Sequence, residues 1–158
     1  MSLKTQTESY LTFNLGEELF AINVSKVLEI LEIQPITKVP QAPFFMRGVI
    51  NLRGNILPVI DTRLRFSLTE ADFTIDTCIV VLSIENNNET VLLGAIVDSV
   101  QKVIDIPDNR IQRSASISSY FKEEYIAGIA KVEEEFIMVV DVDKVFSTDD
   151  LLSGYPDK

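Results

Sequence analysis

The sequence predicts an all-β protein built from two similar barrel halves of about five strands each, with only short helices. Three observations predict it. Apolar and polar residues alternate over short runs that end at Gly, Pro, Asn or Asp. The segments that read as helix are all brief. The chain also repeats itself: residues 48–66 align without a gap on residues 128–146, 80 positions later.

Taken in order, residues 10–15 alternate, with Leu11, Phe13 and Leu15 on one side and Tyr10, Thr12 and Asn14 on the other. Gly16, Glu17 and Glu18 form a turn, and residues 19–24 return as the second strand of a hairpin. Ser25 suits a helix N-cap, which predicts a helix of about one and a half turns over residues 26–31. Pro35, Pro40 and Pro43 keep the next stretch extended. Residues 49–52 and 56–60 form a hairpin across Arg53-Gly54-Asn55, where Gly54 can take a positive φ. Asp61 caps a short helix that ends near Phe66.

The second half opens with strands at 78–84 and 91–97, separated by an Asn86-Asn87-Asn88 turn. An apolar segment runs over 100–106, and the Ser-rich stretch 114–119 reads as loop. Residues 126–132 and 136–140 make a last hairpin across Glu133-Glu134-Glu135, followed by a short helix over 141–146. The expected organisation is one domain over 9–147, with a first half at 9–66, an acidic linker at 67–76, a second half at 77–147 and a polar tail at 148–158. Exchange of strands between the halves is left open.

The repeat supports this division. Gly48/Gly128, Val59/Val139, Asp61/Asp141 and Phe66/Phe146 are identical, and the apolar positions between them match. A second match places residues 24–30 on residues 100–106, 76 positions apart. A five-stranded unit of this size buries little apolar surface alone, so packing two together gives each a second buried face. The groove between them is a natural binding surface.

Composition narrows function. Fourteen Lys and Arg against 24 Asp and Glu leave a formal charge of −10, which disfavours nucleic-acid binding. Arg47, Arg53, Arg63 and Arg65 are four of the six arginines, a local basic focus suited to an acidic protein partner. No histidine is present, which removes the commonest general base, the usual Ser-His-Asp arrangement and most zinc sites. The single cysteine, Cys78, reads as a small buried hydrophobe. No apolar run reaches ~20 residues, so neither a transmembrane helix nor direct membrane insertion is expected. Residues 1–8 lack a signal-peptide core, and the expected compartment is the cytoplasm.

Two readings of the chemistry compete. Asp61, Asp98, Asp141 and Asp143 follow apolar strands, and Asp141 with Asp143 offers a metal-assisted phosphatase site. Capping is the alternative for Asp61 and Asp141, and their matching repeat positions suit it. Arg53 is the sharpest binding candidate, because a tight turn makes its long cation project and its guanidinium can grip a carboxylate in two places.

The run Arg47-Gly-Val-Ile-Asn-Leu-Arg-Gly-Asn-Ile-Leu-Pro-Val-Ile-Asp61 resembles the signature of the CheW family of chemotaxis coupling proteins. Supporting motifs fall in the family's order at 13–18, 26–30, 39–40, 93–98 and 125–129, so the resemblance spans roughly residues 9–147. It implies two linked SH3-like barrels. It implies an adaptor without catalysis or cofactor, joining the regulatory domain of the histidine kinase CheA to the cytoplasmic tips of methyl-accepting chemoreceptors. Recruitment to membrane-associated receptor arrays follows from that role. A CheW-like scaffold of a non-flagellar chemosensory system is the neighbouring alternative. By motif match, Val27, Glu29, Arg53 and Val103 take the places of partner-contact residues, and Gly48, Gly54, Gly94 and Gly128 those of structural glycines. Val27, Ile30 and Leu31 are the apolar residues expected to meet a partner barrel, and Arg53 is expected near the inter-barrel groove.

Overall fold

The computed structural model describes residues 6–86, 88–113 and 125–146. The expected loop at 114–119 and the tail at 148–158 lie outside these residues, as does the middle residue of the Asn86–Asn88 turn. The order is β1 (Thr7–Leu15), β2 (Glu18–Asn23), β3 (Val27–Glu32), β4 (Met46–Leu52), β5 (Asn55–Asp61), α1 (Thr62–Arg65), β6 (Cys78–Asn86), β7 (Glu89–Val97), β8 (Ser99–Pro107), β9 (Ile111–Gln112), β10 (Ile126–Val132), β11 (Glu135–Val140) and α2 (Val142–Val145). The all-β expectation holds.

The hairpins form where the alternation and turn residues place them. Gly16, at φ +64°, turns β1 into β2 and pairs Phe13 with Phe20. Asp61 and Asp141 cap α1 and α2, each accepting a 3.3 Å hydrogen bond from the backbone N–H three residues on. The repeat extends to backbone detail. Both β4 and β10 carry a bulge just before the matched glycine of the repeat, at Gly48 and Gly128.

One element differs from expectation. Residues 27–32 form strand β3, antiparallel to β6, rather than a helix. Asn23, not Ser25, is the cap: its side chain accepts a 2.9 Å hydrogen bond from the Ser25 N–H above a single 3-10 turn, Val24–Lys26. A stretch this short cannot hold a helix by itself, and the free edge of β6 satisfies its backbone groups instead.

The strands assemble into a six-stranded sheet, β8-β1-β2-β11-β10-β9, and a five-stranded sheet, β3-β6-β7-β5-β4. The two orders correspond strand for strand, apart from the two-residue β9. Sheet membership does not follow the halves 9–66 and 77–147. The five-stranded sheet draws on one continuous run, β3 to β7, and the other sheet on β1–β2 with β8–β11. Strand exchange, left open by the sequence, therefore occurs: each repeat unit gives its first hairpin to the other unit's sheet. The joins are parallel pairs, β11 with β2 and β5 with β7. Their registers match, with Val139 opposite Ala21 in one and Val59 opposite Gly94 in the other. A one-residue slip would turn every inward side chain outward, so this agreement reflects a shared core pattern.

Three apolar clusters result. Ile50, Leu57, Val59, Ile79, Val81 and Ile96 fill the five-stranded barrel, and Tyr10, Ala21, Ile106, Ile111, Ala130, Ile137 and Val139 fill the other. The largest lies between them, built on Phe13, Phe20, Leu82, Leu93, Val145 and Phe146 among others. Both faces of β1 are consequently buried at its centre, Tyr10 inside a barrel and Leu11 and Phe13 between barrels. The central cluster draws residues from both sheets, so each barrel buries a second face against the other.

Candidate partner-contact site

The β4–β5 turn sets the geometry around Arg53. Arg53 and Gly54 both have positive φ, +51° and +87°, as a two-residue hairpin turn requires. The Gly54 N–H donates a 2.7 Å hydrogen bond to Asn51 Oδ1, which fixes the turn. Arg53 thus projects from the tip with its side chain 69 % exposed, and it forms an ion pair with Glu29 of β3. Glu29 and Arg53, nominated from separate motifs, are brought together because β3 and β4 are the two edges of the same curled sheet.

The other two nominated residues occupy sheet edges. Val27 opens β3 and is half-buried against the central cluster, so its side chain supports the fold as well as the surface. Val103 lies on β8, the edge of the six-stranded sheet, opposite Leu11, and is 56 % exposed. The expected apolar trio is revised. Leu31 packs on the interior of the five-stranded barrel, while Leu28 and Ile30 are exposed. The cause is the strand: a bulge between Val27 and Glu29 re-aims Leu28, which a helical reading conceals. Ile56 and Phe136, at matching positions beside the two hairpin turns, are also exposed and were missed. The alternation of β5 and β11 was the available signal.

The glycines divide by cause. A Cβ on Gly48 would overlap the Thr37 carbonyl oxygen and lie 2.8 Å from its carbon. On Gly94 it would lie 2.6 Å from Ile79 Cγ2, and on Gly128 2.5 Å from Ile111 Cγ2. Gly54 has open space around it, and only its backbone angle calls for glycine.

Between the barrels lies a cavity of about 620 Å³, lined by Phe20, Phe44, Phe66, Tyr125, Met138 and Arg65 among others. Arg65 stacks between Phe45 and Tyr125, 4.6 and 4.8 Å from the ring centres, and its Nε donates a 2.7 Å hydrogen bond to the Val145 carbonyl. Phe45 and Tyr125 are themselves 80 residues apart, so the arginine sits where the repeats meet. Arg53 does not line this cavity, contrary to the expected proximity; it stands at the tip of the β4–β5 turn.

The carboxylates weighed for metal chemistry are held in structural contacts. Asp141 caps α2. Asp143 receives Lys26 Nζ at 2.8 Å and the Glu85 N–H at 3.0 Å. Asp61, almost fully buried, receives Arg47 at 2.9 Å. Asp98 receives Arg63 and, at 2.6 Å, the Gly16 N–H. Burial opposes its ionisation, but those hydrogen bonds and the Arg63 charge outweigh it and hold its pKa below the usual carboxylate value. Among the described residues, no three His, Cys, Asp or Glu side chains gather as a metal site. The Cys78 thiol is half-buried, and burial pushes its pKa up.

Two barrels with exchanged hairpins, which expose apolar residues on the β3 and β8 edges, beside the hairpin turns and in the 67–76 segment, define a double-barrel module that offers several faces. The CheW-like domain family model matches residues 9–150. Chemotaxis protein CheW of Treponema pallidum is 31 % identical over 157 residues, covering 96 % of this chain and 89 % of the relative. Chemotaxis protein CheW of Rhizobium meliloti is 31 % identical over 140 residues, covering 89 % and 88 %. The crystal structure of the scaffolding protein TtCheW from Thermoanaerobacter tengcongensis superposes with a TM-score of 0.79 at 32 % identity, covering 90 % of this chain and 94 % of that one. This chain belongs to the CheW-like domain family, and its fold is the pair of SH3-like barrels expected from the motifs.

Proposed function

We propose that this chain is a chemotaxis adaptor that couples the cytoplasmic tips of methyl-accepting chemoreceptors to the regulatory domain of the kinase CheA, by protein–protein contact alone. It works in the cytoplasm at membrane-associated receptor arrays, held there by the receptors. The observation that carries the reading is the Arg53–Glu29 pair. Two residues from distant motifs meet beside the turn tip, where Glu29 engages both terminal nitrogens of the guanidinium and its remaining N–H groups face a partner carboxylate. The second face is the β8 edge, where Val103 is exposed. An adaptor needs two such faces, and the repeat supplies them at opposite barrels. None of the described helices is long and apolar enough to cross a membrane.

The test is a pull-down of the intact chain with a CheA regulatory domain and with a receptor signalling tip. Binding to both is expected, and a folded protein that binds neither overturns the proposal. Arg53→Ala is expected to weaken receptor coupling while the melting temperature stays unchanged. A variant that loses coupling and stability together would assign Arg53 to the fold instead.

A further inference from the structure

The chain passes between the two sheets twice. The Val24–Lys26 turn carries it from the six-stranded to the five-stranded sheet, and Asp98, between β7 and β8, carries it back. Each passage is the root of an exchanged hairpin, and each bears an ion pair to a helix. At the second passage, Asp98 binds Arg63 of α1 at 2.6 Å and accepts the N–H of Gly16 at the tip of the β1–β2 hairpin. At the first, Lys26 binds Asp143 of α2 at 2.8 Å, and Asp143 accepts the N–H of Glu85 near the tip of the β6–β7 hairpin.

The two arrangements are related by the repeat. Arg63 and Asp143 are 80 residues apart and are each the second residue of their helix. Their charges are opposite, and the charges at the passages are opposite in compensation. In both places a helix that follows one sheet is tied to the hairpin tip of the other through a shared carboxylate. All four side chains are between 20 % and 34 % exposed, so solvent screens these pairs less than it does ordinary surface pairs. An apolar interface is non-directional, whereas charge-assisted hydrogen bonds fix geometry.

We infer that Arg63–Asp98 and Lys26–Asp143 are a pair of clamps of inverted polarity that set the angle between the two barrels, while the central apolar cluster supplies the adhesion. The four are positioning residues, and the inference is independent of which partners the barrels bind.

The experiment measures the barrel-to-barrel distance in the intact chain. Spin labels replace Ile56 and Phe136, one exposed residue on each barrel, in a Cys78→Val background. The otherwise unaltered chain is expected to give one narrow distance distribution. Arg63→Gln and Lys26→Gln should each broaden or shift it, whereas Lys26→Arg, which keeps the cation and leaves the Asp143 carboxylate on the Glu85 N–H, should keep it narrow. A distribution unchanged in the folded Gln variants overturns the inference, even where their melting temperatures fall, because the apolar cluster then sets the angle alone. Broadening in Lys26→Arg equal to that in Lys26→Gln also overturns it. Should both Gln variants fail to fold, Lys26→Arg decides: a folded, narrow state supports the clamps, and its absence refutes them.

Discussion

Replacing Gly48 by alanine tests the reasoning about close approach most severely. Gly48 has φ +145°, and its position faces the backbone of Thr37. Thr37 and Val49 exchange two hydrogen bonds, Thr37 N–H to the Val49 carbonyl at 2.9 Å and Val49 N–H to the Thr37 carbonyl at 2.8 Å. A methyl group cannot share that space, and no side chain can swing aside because the obstacle is backbone. The Thr37 segment must lift from β4, which forfeits both bonds at about 1 kcal/mol each. The backbone angle adds about 1–3 kcal/mol of strain. The expected loss is therefore about 3–5 kcal/mol, out of the roughly 5–15 kcal/mol that a domain has in total. Gly54→Ala is the control: no atom lies within 4 Å of its Cβ position, and only the angle penalty of about 1–2 kcal/mol remains. Urea denaturation measures both, with amide exchange at Thr37 and Val49 as the local reporter. Equal losses for the two variants, or a Gly48→Ala protein that keeps slow exchange at Val49, would refute the steric argument.

Two further outcomes follow from titratable groups. Asp98 has a depressed pKa in the folded chain, so its contribution to stability is complete above its unfolded value of about 3.9 and is lost as pH falls through the lower folded value. Melting temperatures measured from neutral pH down through that range should fall less steeply for Asp98→Asn than for the parent, and parallel curves would contradict the assignment. Cys78, raised by burial, should react with iodoacetamide at neutral pH more slowly in the folded chain than in the urea-unfolded chain, and equal rates would show the thiol to be open.

Local chemistry was legible wherever a few neighbouring residues decide the outcome. Gly16, Gly54 and the caps at Asp61 and Asp141 all sit where their residue types place them. The segment 26–31 was misread because its apolar spacing fits either a short helix turn or an alternating strand, and the decision belongs to β6, some fifty positions away. Leu31, expected to meet a partner, packs on the barrel interior for the same reason. The motif at 47–61 pointed to Arg53, but nothing in it names Glu29 as the neighbour.

By itself the sequence determined the all-β class, the hairpins, the two-unit repeat and the cationic turn at Arg53-Gly54, because alternation, turn angles and capping are properties of adjacent residues. The tertiary structure alone decided that each unit gives a hairpin to the other, that the barrels meet over a shared apolar cluster, and that Asp98 and Asp143 reach the hairpin tips. Swapping equivalent hairpins leaves the local pattern of every strand intact. The choice therefore rests on the parallel joins at Ala21 and Gly94 and on the ion pairs at the two passages, all of them contacts between residues far apart in the chain.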